Sequence, residues 1–137
     1  MADAYLLDSC TIIAALRGES AALLNRLVTI APNRLHLSSI VFAELATGAE
    51  KSPDRARKRK ALAELTDGMV PLPFAAMDAH AYGRIRTALE RKGAVIGPLD
   101  LLIAAQAVAR DLVLVSDNLR EFRRVPGLRC ENWMRGK

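Results

Sequence analysis

The chain has 137 residues, 51% of them hydrophobic and 26% charged, which suits a folded globular protein with one buried core. Only 4% are aromatic, which argues against binding single-stranded nucleic acid by stacking its bases on exposed rings. The two cysteines, Cys10 and Cys130, show no metal-ligand spacing, and no apolar run approaches the length of a membrane span. We therefore expect a cytoplasmic protein with reduced cysteines, no membrane partner and a single domain over residues 1–137.

The first part of the chain alternates short apolar runs with helical patterns. The run "AYLLD" predicts a strand, and the helix predicted over "SCTIIAALR" ends at Gly18. A second amphipathic helix begins from Ser20. The run "LHLS" predicts the second strand, and the helix "SIVFAELATGAE" begins from Ser38 or Ser39.

The middle of the chain predicts two helices on either side of a weak strand. A strongly basic helix follows Pro53 and reaches about Leu65. The two prolines of "MVPLPF" place the third strand near an edge of the sheet. A long helix over "AAMDAHAYGRIRTALERK" then ends at Gly93. The residues predicted to form its apolar face, four positions apart, are Met77, Ala81, Ile85 and Leu89.

The last part of the chain contains the clearest strand. A helix over "PLDLLIAAQAVA" begins at Pro98, a residue well suited to a first helical position. The run from Leu112 to Val115 predicts a strand, and "LRCEN" predicts a short final one. Because the strands are continuous apolar runs separated by helices, we expect an α/β fold. Its central parallel sheet would have about four to five strands, with helices on both faces.

Four carboxylates fall at positions that this fold brings to one edge of the sheet. Asp8 ends the first strand and Asp117 follows the clearest strand, and parallel strands end on the same side. Glu44 and Asp100 lie in the early turns of helices that begin near that edge. Each aspartate also has a structural interpretation: Asp8 as a helix cap, Asp100 as a first-turn carboxylate, and Asp117 with Asn118 as a turn. Glu44, among apolar neighbours, has none.

Carboxylates gathered in this way require a counter-charge, because they cannot all stay ionised beside one another. A hard divalent cation with oxygen ligands, Mg²⁺ or Mn²⁺, is the natural choice, whereas zinc would call for cysteine and histidine. A metal-activated water beside a basic surface would hydrolyse a phosphodiester bond. The sequence therefore predicts a metal-dependent nuclease.

Most of the excess positive charge lies in two segments, "KSPDRARKRK" and "RIRTALERKG". Clusters of this kind suit a polyanion, because each neutralised phosphate releases counterions. For the first cluster a solvated helix face is an equally good interpretation. The side chains predicted to bind RNA phosphates are Arg55, Arg57, Lys58, Arg59, Lys60, Arg84 and Arg86.

Four segments together resemble a known family: "YLLDSCTIIAAL", "SSIVFAELATGAEKS", "YGRIRTALERKGAVIGPLDLLIAAQA" and "LVLVSDNLREFRRVPGLRCENW". From about Tyr5 to Trp133 the chain resembles PIN-domain proteins and, among them, the VapC-type toxin ribonucleases of bacterial toxin–antitoxin pairs. The resemblance implies a metal-dependent endoribonuclease that a small cognate antitoxin neutralises and that forms a homodimer.

The resemblance also assigns roles to the four acids, which fall on Asp8, Glu44, Asp100 and Asp117. It implies that Asp8 and Asp100 are the most direct metal ligands. Asp117 would be a further ligand, and Glu44 would support the metal or its water. An antitoxin is then expected to place an arginine or lysine in the acidic pocket.

The residues beside these acids follow the family pattern in part. Ser9, Ser116 and Asn118 are expected to support the site, Ser116 at a position where the family usually has a hydroxyl side chain. Cys10 and Leu99 stand where the family commonly has asparagine. Cys10 thereby loses an amide that could orient a carboxylate, and its sequence context favours a small apolar filler.

Three other interpretations of the same residues compete with the nuclease. A haloacid-phosphatase-like enzyme needs an aspartate where Cys10 stands, and a receiver domain needs a lysine where Ser116, Asp117 and Asn118 follow the core strand. Both fail on these residues. A non-catalytic nucleic-acid-binding or partner-binding module of the same fold remains the alternative. Four acids near the phosphate path would bring such a module no benefit without a metal.

Overall fold

Five short parallel strands form the centre of the computed structural model, which describes residues 2–135. The strands are β1 (Tyr5–Leu7), β2 (Leu35–Ser38), β3 (Val70–Leu72), β4 (Val113–Val115) and β5 (Cys130–Glu131). Their order across the sheet is β3-β2-β1-β4-β5, and every neighbouring pair is parallel. The predicted parallel α/β fold is confirmed. β3 lies at an edge, where the missing N–H of its proline leaves no gap inside the sheet.

Seven α-helices and one 3₁₀ turn connect these strands within residues 2–135. They are α1 (Ser9–Arg17), α2 (Ala21–Thr29), α3 (Ser39–Lys51), α4 (Arg55–Thr66), α5 (Ala76–Lys92), α6 (Pro98–Ala109) and α7 (Leu119–Phe122), with the 3₁₀ turn at Pro32–Arg34. α1 and α5 end, as predicted, at glycines with φ of 65°, a left-handed conformation that glycine adopts without strain. None of the helices described is both long and apolar enough to cross a bilayer.

The core lies on both sides of the sheet, which is why its strands read as apolar runs. Leu6 in β1 and Leu114 in β4 are fully buried, and Ile103 in α6 is equally inaccessible. α5 and α6 pack against each other. Burial on both faces fixes β1 and β4 at the centre of the molecule, so their carboxyl ends form a rigid base for the residues that follow them.

The first turn of α5 differs from its predicted pattern. Met77 is 48% exposed, whereas Asp78 is 0% exposed. The Asp78 carboxylate accepts hydrogen bonds from Arg110 Nε and Nη2, each at 3.1 Å, and from the Ala75 N–H at 2.7 Å. The prediction that Met77 begins the buried face is therefore wrong, because an ion pair from the end of α6 allows a charged side chain to take that place.

Candidate active site

Asp8 lies at the centre of the candidate site, directly after β1, and is 5% exposed. Its Oδ1 accepts a hydrogen bond from the Ser9 N–H at 2.8 Å, so the carboxylate caps α1. Its Oδ2 accepts from the Ser116 hydroxyl at 2.8 Å and from the Cys10 thiol at 3.4 Å. The interpretation of Asp8 as a helix cap is therefore correct, whereas its role in a metal site stays a prediction.

The register of the central strands brings Ser116 to Asp8. Leu7 pairs with Val115, so the next residue of each strand lies at the same edge of the sheet. Ser116 is fully buried, and its hydroxyl oxygen accepts a hydrogen bond from the Asn118 N–H at 3.0 Å. The Ser116 hydroxyl therefore orients Asp8, while its support of a metal site stays a prediction.

Glu44 and Asp100 share an electrostatic environment with Asp8. Burial raises the pKa of Asp100 to about 6 from an ordinary value of 3.8, and the charges of Asp8, Glu121 and Glu44 raise it further. Burial and the charge of Asp8 also raise the pKa of Glu44, although a hydrogen bond with the Ser9 side chain opposes this rise. The charges of Asp8, Glu44 and Glu121 therefore act on Asp100, and that of Asp8 acts on Glu44, which places these side chains around one site.

Glu121 is the member of this group that the sequence analysis missed. It lies in α7, a helix of only four residues, which is too short for a periodic pattern to reveal. The Asn118 side chain donates a hydrogen bond to Glu121 Oε2 at 2.6 Å. Asn118 therefore supports the site by holding Glu121, a role that the sequence did not suggest. The only available signal was a second acid four residues after Asp117.

Asp117 and Cys10 meet at the outer side of the site. Asp117 is exposed, and both its backbone N–H and its side chain act on the Cys10 thiol. Burial and then the charge of Asp8 raise the pKa of Cys10 to about 12, so the thiol stays protonated. Cys10 Sγ lies 3.5 Å from Ser116 Oγ as well as 3.4 Å from Asp8 Oδ2. The interpretation of Cys10 as an apolar filler is therefore wrong.

A buried polar network holds the two helices that carry Glu44 and Asp100. Ser38 caps α3 by accepting a hydrogen bond from the Ile40 N–H at 3.0 Å, and its hydroxyl donates to Gln106 of α6. Gln106, which is fully buried, also donates to the Leu72 carbonyl at 3.3 Å. Because every member of a buried network needs its partners, this network fixes α6 against the start of α3.

The donor set fits a hard divalent cation. Glu44 Oε1 is buried and has no hydrogen-bond partner among the described residues, an arrangement that costs free energy unless a cation or water satisfies it. The neighbouring donors are oxygens, as Mg²⁺ and Mn²⁺ prefer. Within residues 2–135 no three His, Cys, Asp or Glu side chains are grouped tightly enough to form a preassembled centre. An open set of this kind suits an ion that keeps several waters, as Mg²⁺ does.

The basic residues lie on two separate helices. On α4, Arg55 and Arg59 pair with Glu50, and Arg57 pairs with Asp54 at 2.9 Å. These side chains are exposed, so the pairs contribute little free energy and phosphates can replace the acids at small cost.

On α5, Arg86 pairs with Glu90 at 2.9 Å. Arg84 lines a wide depression of about 590 Å³ with His80 and Arg91. Contact of either basic helix with RNA stays a prediction.

An apolar groove of about 430 Å³ lies between α1, α3 and α4. Its apolar lining includes Ile13, Leu16, Leu45 and Leu62, and Ile13 and Leu16 are more than a third exposed. Glu44 lines the same groove, and so do basic side chains of α1 and α4. The groove therefore joins an apolar surface directly to the acidic site.

Comparison with known proteins agrees with the fold. The sequence profile described as "PIN domain" matches residues 5–128. The chain therefore belongs to the PIN-domain family.

The chain is 38% identical over 130 residues to "Ribonuclease VapC2" of Rickettsia felis, covering 94% of this chain and 97% of that protein. It is 36% identical over 129 residues to "tRNA(fMet)-specific endonuclease VapC" of Salmonella typhimurium, with coverage of 94% and 97%. The crystal structure of VapBC2 from Rickettsia felis, bound to a DNA fragment from its promoter, superposes with a TM-score of 0.89 at 37% identity. The superposition covers 94% of this chain and 98% of the Rickettsia felis chain. The chain belongs to the VapC ribonucleases of the PIN-domain family.

Proposed function

We propose that this chain is a divalent-metal-dependent endoribonuclease that hydrolyses RNA phosphodiester bonds as the toxin of a toxin–antitoxin pair. Membership of the VapC ribonucleases supports the reaction class. The observation that carries the proposal is the buried Glu44 Oε1, which has no hydrogen-bond partner among the described residues and lies in the acidic surroundings of Asp8 and Asp100. An RNA substrate in the cytoplasm is part of the same proposal.

Asp8 and Asp100 are the proposed ligands of Mg²⁺ or Mn²⁺, with Asp117 as a further ligand. When bound, such an ion lowers the pKa of a coordinated water and neutralises charge on the phosphate. Ser116 orients Asp8 through the hydrogen bond at 2.8 Å. Glu44, whose pKa burial raises, is a better proton acceptor than an ordinary glutamate. We therefore assign to Glu44 the proton released by the attacking water.

The test is a cleavage assay on a mixed RNA pool with Mg²⁺, Mn²⁺ or EDTA. The protein is compared with Asp100→Asn and with Asp67→Asn, a matched change at an exposed aspartate that ends α4. We expect the protein and Asp67→Asn to cut RNA with either metal and not with EDTA, and Asp100→Asn to be inactive although folded. Equal cleavage by Asp100→Asn would place the activity elsewhere. RNA binding without cleavage under every condition would favour the non-catalytic module.

A cognate antitoxin is the proposed protein partner, and the groove between α1, α3 and α4 is its proposed binding site. Solved relatives are VapBC complexes, which supports a partner of this kind. The groove has an apolar lining for one face of a helix and Glu44 for an arginine or lysine. A basic side chain beside Glu44 would neutralise the acids and exclude the metal, so the saturated complex should not cut RNA.

Binding in the groove is tested with Leu16→Asp, measured by calorimetry with the antitoxin encoded beside the toxin. The control is Val28→Asp on α2, a position that is 83% exposed and outside the groove. We expect Leu16→Asp alone to abolish binding while nuclease activity remains. Equal binding by both variants would move the antitoxin to another surface.

We also propose a homodimer, on the strength of the family resemblance. Light scattering on the antitoxin-free protein at several concentrations tests it. A mass of one chain, 14.9 kDa, at every concentration would contradict it.

A further inference from the structure

Cys10 contacts the site in a way that no pattern in the sequence suggested. Its sulfur lies 3.4 Å from Asp8 Oδ2 and 3.5 Å from Ser116 Oγ. Ser116 already donates its hydroxyl hydrogen to Asp8 Oδ2. The thiol is a weak donor, and of the two carboxylates beside it, Asp8 and the exposed Asp117, only Asp8 has an oxygen in hydrogen-bond geometry with the sulfur, at 3.4 Å. Its hydrogen is therefore directed to Asp8.

The hydrogen bonds divide the two oxygens of Asp8 unequally. Oδ2 accepts from two side chains, Ser116 and Cys10, and these occupy both of its lone-pair directions. Oδ1 accepts from the Ser9 N–H, which leaves one lone pair open. Because Ser9 and Cys10 are held in the first turn of α1, the orientation of the carboxylate is fixed by the helix that it caps.

We propose that Cys10 is a positioning residue: its thiol donates to Asp8 Oδ2 and, with Ser116, turns Asp8 so that Oδ1 faces the divalent cation. The inference rests on the proposed function, since it presupposes a metal at this site. Cys10 is not a ligand here. It stands where the family resemblance implies an amide that could orient a carboxylate, and its thiol donates to Asp8 Oδ2.

The first experiment examines the hydrogen bond itself in metal-free protein. A Cys130→Ser background leaves Cys10 as the sole thiol of the chain. We expect the infrared S–H stretching band of Cys10 to lie at the lowered frequency of a thiol bonded to a carboxylate, and to rise when Asp8→Asn is added. An S–H band at the frequency of a free thiol, or a band whose frequency does not change when Asp8→Asn is added, would overturn the proposal.

The second experiment measures Mn²⁺ affinity by calorimetry without RNA. Cys10→Ala should weaken Mn²⁺ binding by about tenfold, the low end for a partner that orients a metal ligand. Cys10→Ser should restore most of the affinity, because a hydroxyl donates to the same oxygen. Cys130→Ala is the matched control and should bind as the unmodified protein does.

The outcomes separate this inference from the proposed function. If the unmodified protein binds Mn²⁺ and Cys10→Ala binds it equally well or more tightly, only the positioning role is overturned. The same holds if Cys10→Ser is as weak as Cys10→Ala. If the unmodified protein binds no Mn²⁺, the metal site fails and the positioning role fails with it, while the infrared band still reports the hydrogen bond.

Discussion

Asp78 and Asp100 occupy the same position in two helices that pack together, yet their surroundings are opposite. Each is the third residue of its helix, α5 and α6 respectively, where the helix dipole favours a negative charge. Asp78 is fully buried and paired with Arg110 through two N···O contacts of 3.1 Å. Asp100 is half-buried beside three other carboxylates. The helix dipole favours an ionised aspartate at both positions. The neighbouring side chains determine whether that aspartate stabilises the fold, as in the pair with Arg110, or belongs to the candidate site.

The largest expected difference between the two is in activity. Asp100→Asn should lower metal-dependent RNA cleavage by more than about 100-fold, beyond the loss typical of residues that only orient a ligand. Asp78→Asn should leave cleavage per folded molecule unchanged, because Asp78 lies in the Arg110 pair and not among the acids. Initial rates normalised to the folded fraction measure both. A comparable loss of cleavage per folded molecule in Asp78→Asn would show that the two aspartates do not differ in their effect on activity.

Stability should show the reverse order. Asp78→Asn leaves Arg110 without its anion and should lower the free energy of unfolding by about 2 kcal/mol. The loss is smaller than for a fully enclosed pair because the Arg110 side chain is 28% exposed and can reach water. The melting temperature should fall by about 8 °C. Urea unfolding provides the free energy, and a midpoint equal to that of the unmodified protein would mean that the ion pair contributes no net stability.

A smaller effect, dependent on pH, is expected at Asp100 in metal-free protein. Its pKa in the folded state is raised to about 6, so the folded protein binds this proton more tightly than the unfolded chain does. The resulting stability is present below about pH 4, the ordinary range of an aspartate, and is lost as the pH rises through 6. Asp100→Asn removes the charge. Relative to the unmodified protein, the variant should gain on the order of 1 kcal/mol from pH 4 to pH 8, after allowance for solvent screening.

Thermal melts in EDTA across this pH range test that effect. Mg²⁺ should reverse its sign at pH 8, because the ion stabilises the folded unmodified protein and has little to bind in Asp100→Asn. A difference between the two proteins that does not change with pH would show that Asp100 is not under the influence of its acidic neighbours.

The smallest effect is expected at Arg86, an exposed residue that belongs to neither region. Arg86→Ala should leave the free energy of unfolding unchanged, since exposed ion pairs contribute little. If Arg86 leaves Glu90 to bind a phosphate, Arg86→Ala should reduce the slope of the logarithm of the RNA-binding constant against the logarithm of the salt concentration by about one. Glu90→Gln is the control and should not weaken binding. Filter binding at several salt concentrations measures both, and an unchanged slope in Arg86→Ala would remove this residue from the RNA-binding set.

Much of the fold could be predicted because its signals are local. The continuous apolar strands, the glycines that end α1 and α5, and the serine that caps α2 each depend on a few neighbouring residues. That the residues after β1 and β4 lie at one edge, as argued for Asp8 and Asp117, followed from topology, since parallel strands end together.

What could not be predicted depends on partners distant in the sequence. Arg110 lies 32 residues after Asp78, so no periodic pattern could show that a charge would replace Met77 in the buried face. Cys10 meets Ser116 across 106 residues, and its sequence context indicated only a small side chain. Glu121 was missed for a different reason, because a helix of one turn leaves too few positions to establish a period.

Because Asp8 both caps α1 and is a proposed metal ligand, a mutation at this position would have a particular genetic effect. An asparagine at this position can still accept the Ser9 N–H bond that begins α1. If Asp8 holds the metal as proposed, a single base change would therefore yield a folded but inactive chain. Such a chain would keep the groove between α1, α3 and α4, the proposed antitoxin site, and would compete there for the same partner. In a cell that carried both versions, the inactive one would titrate the inhibitor and leave more of the active toxin free. Loss of the Asp8 charge would then be harmless in a cell that has only the inactive version and harmful in a cell that has both.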